Sequence, residues 1–155
     1  MLKDTYRALH ASRALGGNAD IPKVIFAGFK NSGGNVEEAL LVNATKWDIR
    51  IQEVSAGRDI LLLLTGGEEH IGAVATAYFN EEDKDVEVRT VDLPGHREDE
   101  LAEYMAKTAA KALGCTVTVA AGIHYDGISK EQILDIVAEA KQVFEGYLKA
   151  AVNKI

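Results

Sequence analysis

The sequence predicts an α+β domain with a mostly antiparallel sheet and helices packed on one face. From Trp47 onward, four strand-like segments are followed by a helical segment, a fifth strand and a second helix. This β-β-β-β-α-β-α order, with hairpin-linked strands before any helix, favours α+β over a parallel α/β sheet. The 155 residues fit one domain. We therefore divide the chain into an N-terminal extension, 1–46, and a single α+β domain, 47–155.

The extension is predicted to contain a helix, a short strand and a second helix. Residues 2–15 mix leucines with charged residues, and Gly16-Gly17 would end a helix there. The strand is expected over Ile21–Phe29. After it, Asn35 is suited to cap a helix over 36–44.

Four strands are expected next. Polar and apolar residues alternate in Trp47–Gln52 and again in Val86–Val91, as in half-buried strands. Ile60–Leu64 is apolar on both faces and is predicted to be a central strand covered on each side. The third strand, His70–Phe79, carries small residues that indicate a bulky neighbour on one face, either a helix, the commoner case, or a ligand: Gly72, Ala73, Ala75 and Ala77.

The two late helices have clear boundaries. Arg97–Leu113 is amphipathic, and Gly114 is suited to its C-terminal cap. A fifth strand follows over residues 115–121. Ser129 and Gln132 form a capping box of the S-x-x-Q type, which predicts the start of a long final helix.

Composition narrows the possible functions. The chain is 47% hydrophobic and 26% charged, with a net charge of -7 that disfavours nucleic acid and anionic membranes as partners. Its one cysteine, Cys115, excludes an internal disulfide and is expected to pack as a small apolar residue. No signal peptide is evident, and no segment approaches the roughly 18 apolar residues of a membrane helix. A cytoplasmic location is expected.

Three of the four histidines lie in or beside glycine-containing turns: His70, His96 and His124. Glycine lets the backbone approach a ligand closely, and histidine offers a donor, an acceptor or a cation near neutral pH. If the fourth and fifth strands run parallel, their C-terminal ends share one edge of the sheet, and the histidines become neighbours. The sequence therefore suggests one polar pocket, although the same glycines also suit plain turns.

Two helix N-termini add candidate anion sites, because their free N–H groups and the helix dipole favour negative charge. The first helix offers Gly95, His96 and Arg97, and the second offers Gly127, Ile128 and Ser129. A phosphate could be held by backbone N–H groups there together with Arg97 or Ser129. The alternative is structural: Gly95 relieves backbone strain and Ser129 only caps its helix.

Other chemistry has weaker signals. The histidines are 26 and 28 residues apart, which matches no compact metal motif, although three imidazoles form a known zinc set. Asp126 is close enough to His124 to orient its ring. The chain contains neither a G-x-S-x-G elbow nor a G-x-G-x-x-G or P-loop fingerprint. No catalytic or metal-binding residue is predicted.

Three segments carry a family resemblance: Thr65–Ala75, Leu93–Asp99 and Ala121–Ser129. Over about residues 47–145, the chain resembles the small accessory D-subunit family of gallate decarboxylase. That family is associated with UbiD-type decarboxylases, which use prenylated flavin mononucleotide (FMN), and its members are regarded as chaperones or carriers of this cofactor.

The resemblance implies a non-catalytic protein that binds prenylated FMN or FMN and hands it to a UbiD-type decarboxylase. The candidate cofactor-binding residues are Gly66, Gly67, His70, Gly72, Gly95, His96, Arg97, Gly122, His124, Asp126 and Ser129. In this interpretation, the small residues of the third strand admit the flavin ring. Two alternatives remain: a metal-dependent or acid–base enzyme that uses the histidines on a small anionic substrate, and a dimeric assembly module without a ligand. A homodimer or a higher homo-oligomer is left open as the oligomeric state.

Overall fold

A computed structural model of the protein describes residues 23–30, 36–43 and 46–154, the first two ranges as backbone only. Over these residues the α+β prediction and the β-β-β-β-α-β-α order from Trp47 onward are confirmed. Neither described helix combines the length and the apolar composition that crossing a membrane requires. The elements are β1 (Lys23–Lys30), β2 (Val36–Asn43), β3 (Arg50–Ala56), β4 (Asp59–Gly67), β5 (Ala73–Phe79), β6 (Val86–Asp92), α1 (Asp99–Leu113), β7 (Val117–His124) and α2 (Lys130–Val152).

The described strands form one sheet in the order β1-β2-β3-β4-β7-β5-β6. The sheet is mixed: β4 and β7 pair in parallel, and the other neighbouring strands pair antiparallel. Both β6 and β7 are antiparallel to β5, so β4, β6 and β7 run in one direction. The fourth and fifth predicted strands correspond to β6 and β7, so they run parallel, as the proximity of the histidines requires. In the sheet, β5 lies between them. We call the end of the sheet where β4, β6 and β7 finish and β5 begins the histidine edge.

The helix predicted over residues 36–44 is wrong, because β2 occupies Val36–Asn43. This strand pairs with β1 along its whole length and with β3 through Leu41–Asn43. Pairing on both sides overrides the helical propensity of a Glu-Glu-Ala-Leu-Leu run. The helix expected over 2–15 and the cap residue Asn35 lie outside the described residues, and the domain division at residue 46 stays a prediction.

The core lies between the sheet and both helices. Ala73, Ala75 and Ala77 of β5 are completely buried on the covered face, where α1 packs on β5. Ala102 and Ala106 of α1 are likewise completely buried. Small side chains on both surfaces allow the helix to approach the sheet closely. The bulky neighbour predicted for this strand is therefore a helix, and these alanines offer no room for a flavin ring.

The opposite face is uncovered by any described helix or strand. Leu62 and Leu64 of β4 are buried in the core, but Leu61, which points to the opposite face, is 37% exposed, so the prediction of a strand covered on each side is wrong. The pairing register places further apolar residues on this side. We call the surface they form the open face: Val54, Leu61, Leu63, Val74, Val91 and Ala120.

Candidate functional site at the histidine edge

The β4 strand ends at a glycine that no other residue could replace without movement. Gly67 has a φ of +64°, and a Cβ built on it would lie 2.1 Å from the carbonyl oxygen of His124. That carbonyl also accepts a hydrogen bond from the Glu68 N–H at 2.9 Å. The chain leaving β4 is thus held against the end of β7.

The next residues cross β7 just as closely. A Cβ on Gly122 would lie 1.9 Å from the carbonyl oxygen of His70. The strand predicted from His70 accordingly begins at Ala73 instead, because the backbone at 70–72 first passes over β7. The Gly72 N–H then donates to the carbonyl of Ala121 at 2.8 Å, which fixes His70 at the histidine edge.

His70 and His96 meet in the centre of the site. Their ring centroids are 4.6 Å apart, and Nε2 of His70 lies 3.1 Å from Nδ1 of His96. The carboxylate of Glu98 faces both rings, at 3.7 Å from the His70 nitrogen and 3.8 Å from the His96 nitrogen. We call these three residues the His70/His96/Glu98 cluster. Their side chains are only 24%, 32% and 13% exposed, respectively.

Backbone groups orient the members of this cluster. Nδ1 of His70 donates to the carbonyl oxygen of Glu68 at 3.0 Å, since a carbonyl can only accept. Glu98 accepts from the N–H groups of Arg97 at 3.0 Å and Ile123 at 3.3 Å. A Cβ on Gly72 would lie 2.5 Å from a Glu98 carboxylate oxygen, so glycine gives this carboxylate its space.

Glu98 is absent from the candidate residues chosen from the sequence. Its charge near the start of a helix is already explained by the helix dipole, which hides any second role. The structure shows one feature that indicates another role for Glu98. It occupies the N-cap position of α1, where Ser, Thr, Asp or Asn is preferred, and its side chain makes no capping hydrogen bond.

His124 lies on the solvent side of the cluster. Its ring centroid is 6.2 Å from that of His70 and the two rings are nearly perpendicular. Its Nε2 lies 3.0 Å from an Asp126 carboxylate oxygen, so the expected contact between these two residues is present. The His124 side chain is 49% exposed and that of Asp126 93%, which leaves this pair open to a ligand.

The N-terminus of α1 is less available to a phosphate than the sequence suggests. The His96 N–H donates to the carbonyl of Leu93 at 3.1 Å, and the Arg97 N–H is already bound to the Glu98 carboxylate. That carboxylate also repels an anion. The Arg97 guanidinium is exposed and has no ion-pair partner within the described part of the chain, so it is the better candidate for a phosphate.

The remaining candidates have structural roles that are already clear. Ser129 caps α2 in a reciprocal capping box with Gln132, as predicted. Gly95 adopts a φ of +84° in an open turn, with nothing within 4 Å of an added Cβ. Gly66 gives space to the Tyr125 hydroxyl, which a Cβ would approach to 3.0 Å.

Charged groups flank the cluster on the β3 and β4 side. Arg50 forms an ion pair with Glu69, which also accepts from the Thr65 hydroxyl at 3.3 Å. The Tyr125 hydroxyl donates to Asp48 at 2.5 Å. This hydrogen bond, together with one from the Gly67 N–H, lowers the pKa of Asp48, and burial and the Asp48 contact raise the pKa of Tyr125. Arg50 was not selected from the sequence, where it appears only as a polar strand residue.

Two surface grooves of about 450 and 420 Å³ lie away from the histidine edge. One is lined by α1 residues that include Tyr104 and Lys107, and the other lies between the C-terminal parts of α1 and α2. The His124 and Asp126 side chains at the histidine edge are exposed, so a ligand bound beside them would remain partly exposed.

Three comparisons with known proteins gave matches. A yeast 20S proteasome assembly chaperone complex contains a chain with a TM-score of 0.45 and 13% identity, covering 85% of this chain and 98% of the other. Protein LpdD of Lactiplantibacillus plantarum is 36% identical over 78 residues, which are 50% of this chain and 57% of that protein. The match thus spans little more than half of the relative. The sequence model for the prenylated flavin chaperone LpdD-like domain matches residues 43–151, so the chain belongs to this family of prenylated flavin chaperones.

Proposed function

We propose that this protein is a non-catalytic accessory protein that binds prenylated FMN or FMN and delivers it to a UbiD-type decarboxylase. Family membership supports the chaperone role. The observation that carries the proposal is the convergence of three histidine-bearing turns, far apart in the chain, at one edge of the sheet.

The chemistry of the histidine edge is complementary to a flavin nucleotide. The exposed Arg97 guanidinium and the His124 imidazole are suited to the phosphate and the polar ribityl chain. The flat apolar ring would lie on the adjoining part of the open face, over Leu63, Val74 and Ala120. This position replaces the one suggested by the small residues of β5, since α1 covers those residues.

Partial exposure of the site is consistent with delivery. A carrier must release its cofactor to a second protein, and an open edge lets the acceptor reach a flavin that is still bound. Moderate affinity is expected, because a ligand that keeps one face in water buries less apolar area than one in an enclosed pocket.

Titration of the purified full-length protein with FMN and with prenylated FMN tests binding through the change in flavin fluorescence. Loss of a charged hydrogen bond in Arg97→Ala is expected to weaken binding by about tenfold or more. Arg58→Ala is the matched control, since Arg58 is an exposed cation at the β3–β4 turn, at the opposite end of the sheet. Absence of binding for both flavins, or equal weakening by both variants, would contradict the proposal.

Delivery is tested separately with an apo decarboxylase of the UbiD type. Protein preloaded with prenylated FMN should activate this enzyme faster than the same concentration of free cofactor does. Equal rates with and without the protein would restrict its role to storage.

A further inference from the structure

We propose that His70, His96 and Glu98 form a binding site for a divalent transition-metal ion of the zinc class, with coordination positions left open. This inference goes beyond flavin binding and does not depend on it. The sequence does not reveal the site, because the two histidines lie in separate connections, 26 residues apart. The third ligand, Glu98, is a glutamate at the start of a helix, where an acidic residue is common.

The three donor groups surround a common point. One atom from each residue lies within 4.8 Å of the others. The nitrogens of the two histidines are 3.1 Å apart, and two nitrogens bound to a tetrahedral zinc ion at about 2.0–2.1 Å would be roughly 3.3 Å apart. The arrangement therefore needs only small movements to coordinate an ion.

The carboxylate is placed as a metal ligand rather than as a hydrogen-bond partner of the histidines. Its oxygens lie 3.7 and 3.8 Å from the ring nitrogens, which is too far for a hydrogen bond. A cation between these groups would bridge this gap and would neutralise a carboxylate whose side chain is only 13% exposed.

The surrounding hydrogen bonds follow the pattern of known metal sites. A metal-bound histidine usually donates its second ring N–H to a carbonyl or carboxylate, which fixes the tautomer. Nδ1 of His70 donates to the Glu68 carbonyl, which leaves Nε2, the ring nitrogen that faces His96 and Glu98, as the atom to bind the ion. The N–H groups of Arg97 and Ile123 hold the carboxylate in the same way.

Two histidines and one carboxylate leave at least one position free on a four-coordinate ion. Such donor sets occur where water or a substrate completes the coordination. A second group with suitable spacing consists of three exposed residues, Glu68, His124 and Asp126. It serves as the alternative location in the experiment.

The experiment uses the purified full-length protein, stripped with a chelator and free of flavin, and titrates it with Co²⁺. Tetrahedral or five-coordinate Co²⁺ has visible absorption bands, which Zn²⁺ should abolish by displacement. One equivalent is expected to bind, and the melting temperature should rise because the ion binds only the folded state. His96→Ala and Glu98→Gln should each weaken binding by at least about tenfold.

His124→Ala is the control, because it removes a histidine of the same edge that lies outside the cluster. Retained Co²⁺ binding in this variant, with loss in His96→Ala and Glu98→Gln at unchanged circular dichroism, supports the site. No visible bands with the wild type, or loss of binding only in His124→Ala, would overturn it. Because flavin is absent throughout, failure here leaves the flavin proposal untouched.

Discussion

Nε2 of His70 lies 3.1 Å from Nδ1 of His96 because the two residues flank one antiparallel hairpin. His70 precedes β5 and His96 follows β6, and the register of these strands pairs Ala73 with Asp92. A slip of two residues would displace one ring relative to the other by about 6–7 Å. The register of β5 and β6 therefore determines whether the cluster exists.

Gly122→Ala tests the close crossing that positions His70. The new Cβ would overlap the His70 carbonyl oxygen at 1.9 Å, and backbone atoms cannot move away as a flexible side chain can. We expect a loss of about 3 kcal/mol or more in the free energy of unfolding, measured by denaturant titration.

Gly57→Ala is the control for this substitution. Gly57 has a φ of +67° but nothing within 4 Å of an added Cβ, so only backbone strain of about 1–2 kcal/mol is expected. If Gly122→Ala is no more destabilising than Gly57→Ala, the crossing is looser than the structure indicates.

Periodicity predicted most of the fold, and its failures share one cause. The elements from β3 to α2 were predicted with the correct type because their apolar patterns agree with their tertiary positions. The helix expected over 36–44 failed because strand pairing, which is a long-range interaction, outweighed local propensity. The exposure of Leu61 was missed for a related reason: an all-apolar strand does not show which face the helices cover.

The candidate site was predictable only in part. Glycine and histidine together marked the three turns, and strand direction explains why those turns converge. Glu98 and Arg50 were missed because their positions have ordinary explanations, a helix start and a strand surface. No local sequence pattern encodes the position of the Glu98 carboxylate facing two imidazoles. This arrangement is therefore evident only from the three-dimensional structure.

Tyr147→Phe should alter stability in a pH-dependent way. Tyr147 is completely buried and its hydroxyl donates to Glu53 at 2.7 Å. Burial, followed by this hydrogen bond, raises the pKa of Tyr147 above its ordinary value near 10. The folded state then holds the phenolic proton more tightly than the unfolded state, so this contribution is full below about pH 10 and is lost as the pH rises further.

At neutral pH we expect Tyr147→Phe to cost about 1–2 kcal/mol, with the difference from the wild type shrinking above about pH 10. Urea titrations at several pH values would measure both effects. Tyr104→Phe provides the comparison, since Tyr104 is 41% exposed and loss of its hydroxyl should cost little at neutral pH. A constant difference at every pH would contradict the assignment.

Substitutions of Ser129 separate capping from ligand binding. Ser129→Ala removes the hydrogen bond to the Gln132 N–H and should cost about 1 kcal/mol. Ser129→Asp keeps a capping oxygen and should preserve stability, but it adds a negative charge. If Ser129 contacts the flavin phosphate, Ser129→Asp will weaken FMN binding while the melting temperature stays unchanged. FMN affinity equal to that of the wild type in both variants would limit Ser129 to capping.

The position of the flavin ring can be tested on the open face with Val74→Glu and Val54→Glu. Val74 lies in the row Leu63–Ala120–Val74, next to the histidine edge, whereas Val54 lies on the same face close to the β3–β4 turn. A carboxylate at Val74 would have to be desolvated beneath an apolar ring, and we expect about a tenfold or greater loss of FMN affinity. Val54→Glu adds the same charge to the same face without touching the proposed ring, so its affinity should stay within about twofold of the wild type. Fluorescence titration at matched ionic strength measures both, and equal losses would show that the ring lies elsewhere or that charge alone repels the phosphate.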